Sequence, residues 1–252
     1  MPPSHHLKGF TVRRLVPTFL ACALCAPAAQ AYRPFDGTDA AVADAGVFEL
    51  ELGAIHQRRG SGRSIGLPAF TANFGFEGNT EIVFDGRLNR LLGESDGAPR
   101  SSFGDAVLSV KHVFREGSLQ EKSGPSVAAE CGLLLPGLRA DSGSGATCAG
   151  IVSQQLDAVA VHLNASLTRS RENEHSRYLG AIVEGPDRWA VRPVMEAGTE
   201  RSIEGGRTHS VLVGAIWKAG RDLTLDVGLR KEHGTEQKAT EIRFGLTWSM
   251  HL

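Results

Sequence analysis

Residues Thr240–Leu252 read T-E-I-R-F-G-L-T-W-S-M-H-L. Ile242, Phe244, Leu246, Trp248, Met250 and Leu252 are large and apolar, and between them stand Arg243, Gly245, Thr247, Ser249 and His251. Successive side chains of a β-strand point to opposite faces, so this period of two predicts a strand with one apolar face and one polar or small face. Two architectures accept such a strand. One is a soluble sandwich, in which it is half-buried. The other is a transmembrane barrel, whose strands need about 9–11 tilted residues to cross the hydrocarbon with their apolar side toward lipid. A soluble chain rarely ends on so long an uncovered stripe, and the stretches upstream decide between the two.

The alternation recurs along the chain. In 47–57, Phe48, Leu50, Leu52 and Ala54 oppose Glu49 and Glu51. Strand 65–76 follows, with Pro68 read as a bulge or rim position. In 81–92, Ile82, Phe84 and Leu88 oppose Glu81, Asp85 and Arg87. In 104–115, Ala106, Leu108, Val110 and Phe114 oppose Ser109, Lys111 and Arg115. Further strands are expected at 126–135, 147–155 (phase ambiguous), 158–168, 177–184, 189–200, 209–218 and 223–230. With the terminal stretch this gives twelve. The connections 77–80, 156–157, 185–188 and 219–222 are short, whereas 93–103, 137–146, 169–176, 201–208 and 231–239 are longer and charged. Segments 58–64 and 116–125 break this sorting. An even number of strands, with short turns at one end and long loops at the other, is the pattern of an outer-membrane barrel. The expected fold is therefore all-β: a transmembrane antiparallel up-and-down barrel with its short turns in the periplasm. Closure requires the last strand to pair with the first, since an open edge in hydrocarbon leaves backbone groups unsatisfied. That pairing is expected to set Glu49 and Glu51 on the same lumen wall as Arg243, sealing the seam by charge.

The amino terminus fits that compartment. Lys8, Arg13 and Arg14 precede an apolar run, 15–26, and Ala29-Gln30-Ala31 is a small-residue cleavage site, so residues 1–31 read as a signal peptide and Tyr32 as the mature start. Cys22, after Phe19-Leu20-Ala21, is a weak lipoprotein signal with too short an apolar region before it. Residues 32–46 read as a polar periplasmic lead with Pro and Gly, standing before the barrel with the option of tucking into its mouth, and 47–252 as the barrel. Loss of the signal removes three basic residues and no acidic one, making the mature chain more acidic than the whole, whose formal charge is −1. That is no footprint for nucleic acid. Cys131 and Cys148 remain and could pair in an oxidising periplasm, but their places inside strands favour two small packing residues. No cysteine spacing suits a metal, no cofactor is indicated, and no apolar run is long enough for a membrane helix. The expected partners are outer-membrane lipid, the barrel-assembly machinery and an unidentified small solute.

Several stretches carry a resemblance. RPFDGTDAAVADAGVFELELG, SFGDAVLSVKHVFREG, GPSVAAECGLLLP, LGAIVEGPDRWAVRPVMEAG and the closing FGLTW resemble the transporter-like outer-membrane proteins of the phenol-degradation MetA-pathway family, over nearly the whole mature chain. The last strand also resembles the terminal strand of bacterial outer-membrane barrels, although those usually end on an aromatic residue and this chain ends on Leu252. The resemblance implies a transporter-type barrel, with aromatic compounds as the associated solute class, and supplies no catalytic residues.

The charges on the polar faces are the functional candidates: Glu49, Glu51, Glu81, Asp85, Arg87, Lys111, Glu130, His162, Arg192, Glu196, Asp226, Arg230 and Arg243. On the lipid face a Lys or Arg would cost about 2–4 kcal/mol at mid-bilayer, so these belong inside. They either line a water-filled pore that selects solutes or pair across a narrow lumen and plug it. Their mixed signs argue against strong ion selectivity. The function expected is a passive channel for small solutes. A closed structural or adhesion barrel is the alternative, and a lipid hydrolase is the rival class. For the last, His112 falls on the apolar face of its strand, but no serine on neighbouring strands shares that phase, so no catalytic residue is assigned. Trp189, Trp217 and Trp248 lie near strand ends, where aromatic rings suit the membrane interface.

Overall fold

The computed structural model describes residues 34–93, 99–203, 205–235 and 238–252. The expected signal peptide and the mature start at Tyr32 lie outside the described residues. Twelve antiparallel strands close into a barrel. They are β1 (Val47–Arg59), β2 (Gly62–Phe76), β3 (Thr80–Leu91), β4 (Ser101–Arg115), β5 (Ser126–Leu134), β6 (Gly145–Gln155), β7 (Ala160–Arg169), β8 (His175–Glu184), β9 (Val191–Ser202), β10 (Arg207–Lys218), β11 (Leu223–Gly234) and β12 (Lys238–His251). A short 3-10 turn, Ser118–Gln120, interrupts the β4–β5 connection. The terminal stretch closes the sheet: β12 pairs with β1 from Val47 opposite His251 to Arg59 opposite Ala239. Every edge is thereby satisfied, as hydrocarbon demands.

The two faces separate by chemistry. Leu108 and Val213 point outward and expose about half their surface, and Leu167 and Phe114 expose 69% each. Val161 and Leu225 lie half-buried on the same outward face. Glu81, Lys111, Glu196 and Arg243 point inward and are buried. A soluble sandwich would invert this arrangement.

Three details differ from the sequence reading. Strands at one end run past the apolar band, so 58–59, 62–64, 175–176, 201–202, 207–208, 231–234 and 238–239, read as loop, are strand. Backbone pairing continues there although the apolar alternation has ended, which is why periodicity misses it; the sorting of connections by length is correspondingly weaker. Ala106, which the alternation assigns to the outward stripe, is buried, because a bulge at Asp105 (φ 54°) adds a residue to β4 and interrupts the alternation. Cys131 and Cys148 face each other directly on β5 and β6 and form a disulfide rather than packing as free thiols. The expected bulge at Pro68 is present, as a register shift between Gly66 and Ala69.

Candidate functional site: the lumen and its internal lead

Residues 34–46 do not stand ahead of the barrel. They lie in the lumen, and the inward polar residues bind their backbone. The chain turns into β1 at Gly46, whose N–H donates to Gly75 O at 3.0 Å. Here the lead presses on the wall so closely that a Cβ on Gly75 would sit 2.2 Å from the carbonyl oxygens of Ala43 and Asp44, so only glycine fits. Ala43 N–H donates to Glu81 Oε2 at 2.7 Å, and Ala40 N–H to Ser153 Oγ at 2.8 Å. Ala40 is fully buried against Val113, Ala128 and Ile151, an apolar patch inside the lumen. Asn164 clasps Thr38, accepting from its N–H at 3.1 Å and donating to its carbonyl at 2.9 Å. Glu196 accepts the N–H groups of Asp36 and Gly37 at 2.7 and 2.8 Å. Backbone donors on an irregular segment inside a barrel need such acceptors, because an unpaired buried N–H is expensive.

Charge fixes residues 34–36. Arg243 donates to Pro34 O at 2.6 Å and to Asp36 Oδ1 at 2.7 Å, while Arg230 donates to Asp36 Oδ2 at 2.7 Å. Burial pushes the Asp36 carboxyl up, but the guanidiniums of Arg243 and Arg230 outweigh it and hold the group below the ordinary carboxylate range. Glu241 completes the cluster at 2.6 Å from Arg243.

All thirteen candidate charges sit on inward positions. Glu49, Glu51, Glu81, Asp85 and Glu130 make the β1–β5 side a mainly acidic wall, whereas β9–β12 are mixed in sign, with Arg192, Arg230 and Arg243 beside Glu196, Asp226 and Glu241. Lys111 is buried within the acidic wall, 3.7 Å from Glu81 and 3.5 Å from Asp39 of the lead. Arg87 pairs with Asp105, and Arg192 with Glu184 at 3.0 Å. Asp226 is buried on β11. The expected seam of Glu49 and Glu51 with Arg243 does not form. In the β1–β12 register Arg243 stands opposite Ile55, whereas Glu51 stands opposite Thr247, too far along the strand to meet it. Glu49 instead accepts from Ser249 at 2.8 Å, and Gln57 reaches across the seam to Glu241 at 2.7 Å.

His162 belongs to a chain of contacts. Its Nδ1 lies 2.8 Å from Ser153 Oγ, and its Nε2 lies 3.5 Å from Glu184 Oε1. The order Ser–His–Glu is that of a nucleophilic triad. Here Ser153 is fully buried and its oxygen already accepts Ala40 N–H, so the chain of contacts holds the lead and offers no substrate access. His112, the position singled out for a wall hydrolase, contacts the Thr80 hydroxyl at 2.8 Å and stacks edge-on to Phe114.

Above the lead remains a chamber of about 420 Å³. Phe35 and Tyr178 supply rings, Glu51, Asp85 and Glu130 supply carboxylates, and Arg243 supplies a guanidinium. Periodicity points to the charges of the strands but gives no sign of Asp36, Ser153 or Tyr178. Ser153 lies on the strand whose phase is ambiguous, and the partners of Asp36 are 194 and 207 residues away.

No family model matches the chain, and no curated protein does. Solved structures do. A crystal structure of an outer-membrane channel from Pseudomonas putida F1 superposes with a TM-score of 0.64 at 11% identity, covering 86% of this chain and 100% of that one. The NanC porin gives 0.56 at 6% identity over 78% of this chain and 98% of its own. The KdgM porin in complex with disordered oligogalacturonate gives 0.54 at 13% identity over 80% and 99%. The chain shares the barrel fold of these outer-membrane proteins. At these identities the likeness establishes architecture, and the chemistry must come from the lumen itself.

Proposed function

We propose that this protein is an outer-membrane channel for small solutes whose lumen is narrowed by its own amino-terminal lead. The observation that carries the reading is the chamber above the lead: an open space lined by carboxylates and rings inside a closed barrel. Its acidic residues outnumber Arg243, which favours cationic over anionic solutes, and the Phe35 and Tyr178 rings suit flat aromatic ones. Delivery through the inner membrane by the signal peptide and assembly by the outer-membrane machinery complete the proposal. Planar-bilayer recording on the refolded mature protein tests it. Discrete conductance steps are expected, and they should grow when the lead is loosened.

One observation favours a second reading. The lead is fastened to β3, β6, β7, β9, β11 and β12, as a permanent stopper would be. A closed barrel would show no steps in either the native protein or a variant with a loosened lead.

A further inference from the structure

The outer wall carries a second feature that the channel does not use. A groove of about 870 Å³ runs across β5–β10. Two rows of outward side chains, each paired strand to strand, define it. The lower row is Ala129, Gly150, Ala165, Leu179, Thr199 and His209. Its first three members are too small to fill the wall, which makes the depression. The upper row is Cys131, Cys148, Leu167, Arg177, Arg201 and Arg207, in the same pairings. The disulfide and Leu167 raise one flank, and three arginines on adjacent strands close the other end.

Neighbouring strands are about 4.8 Å apart, so these guanidiniums stand side by side, and like charges set opposite one another are destabilising. No carboxylate occurs in either row, and among the described residues none of the three arginines forms an ion pair. Glu204 of the β9–β10 turn lies outside the described residues. Depth matters too. Trp217 marks the opposite end of β10, and from it to Arg207 is roughly 34 Å of strand, about 25 Å of depth at the usual tilt. That is the height of the apolar band, so the arginines lie where lipid phosphates would.

We propose that this groove binds a phosphorylated, acylated sugar lipid of the lipid A class, with its phosphates on Arg177, Arg201 and Arg207 and one acyl chain lying along Ala129, Gly150 and Ala165. Arginine forks match phosphate oxygens, and a shallow groove of small residues offers a chain more contact than a flat wall. The inference rests on the outer-membrane reading with the extended hairpins outside. It does not depend on conductance.

The test is native mass spectrometry of the refolded mature protein in detergent, with purified lipid A added and phosphatidylglycerol in a parallel titration. Wild-type barrels should retain one lipid A each. R177Q/R201Q/R207Q should weaken retention at least about tenfold, given roughly 1 kcal/mol per basic residue at an anionic lipid surface. G150L, which fills the groove without touching charge, should weaken it as well. R58Q/R63Q, on β1 and β2 away from the groove, should leave it unchanged. Heat-modifiable migration verifies that each variant is folded, and R201Q alone serves if the triple variant is not. Equal retention by the folded arginine variant, or equal affinity for phosphatidylglycerol, overturns the proposal. Failure of the channel reading would show in bilayer recordings while leaving lipid retention intact.

Discussion

Arg243, on the last strand, donates to the carboxylate of Asp36 in the lead at 2.7 Å, across 207 residues of sequence. The lead and the closing strand are thus tied together inside the barrel. Arg243→Gln keeps the size of the side chain and removes the charge. Removing one partner of a buried ion pair costs up to about 3–5 kcal/mol, and here the loss is smaller because Arg230 still pairs with Asp36 at 2.7 Å. The variant should fold, lose thermal stability and show larger single-channel steps. Steps of native size would mean that Arg243 does not hold the lead.

The same contact predicts a pH response. The Asp36 carboxyl is held below its ordinary range in the closed arrangement. Its contribution is therefore complete above the ordinary carboxylate pKa and is lost as pH falls through the depressed value. Arg230 and Arg243 stay charged throughout and, once Asp36 is neutral, keep only Glu232 and Glu241 on the wall as partners, so the tie to the lead weakens; Glu196 and Tyr178 also face the cluster. Conductance should rise on acidification below roughly pH 4. Asp36→Asn should open the channel at neutral pH and flatten the acid response; an identical profile in that variant would assign the effect elsewhere.

Orientation can be read with cysteine chemistry. Ser142 lies in the connection between β5 and β6, at the end where the hairpins extend. Ser142→Cys should react with an impermeant thiol reagent on intact cells. Labelling that appears only after lysis would reverse the topology and place the arginine row at the inner leaflet.

Ion preference follows from the chamber. Glu51, Asp85 and Glu130 outnumber Arg243 there. A salt gradient across a bilayer should give a reversal potential of cationic sign, and the combined variant E51Q/D85N/E130Q should move it toward zero or past it. A native reversal potential of anionic sign would contradict the chamber's role.

Truncation after Thr247 removes the residues that pair with Val47, Phe48, Glu49 and Leu50. The seam would open at the turn end and the terminal stripe would fall short of a membrane span. Such a chain should be exported, fail to acquire heat-modifiable migration and be degraded. Native amounts of folded protein in the outer membrane would show that the end of β12 is dispensable.

Period-two alternation made the barrel legible, because each strand sets one row of side chains against lipid and the other against the lumen. It placed all twelve strands and distinguished Leu108 from Lys111. It could not see where strands end once both faces are polar, as at Arg59 or Gly234. It could not see partners either. Whether Arg243 meets Glu51 or Asp36 depends on a register offset of a few residues and on the lead's path, and neither leaves a periodic trace. Ile151, Ile182, Leu212 and Ile216 face inward. A rule that sends polar residues in and apolar residues out misses them, because it takes the lumen to be water when part of it is filled by the chain.

The lead passes into β1 at Gly46, with no linker between stopper and wall. A blocker joined so directly experiences its binding site at an effective concentration on the order of millimolar or above, fixed by geometry rather than by the amount of protein. Release at Asp36 would then be followed by rapid recapture. Current through a single barrel should flicker between two levels, with a ratio of dwell times that neither dilution nor added free lead peptide changes.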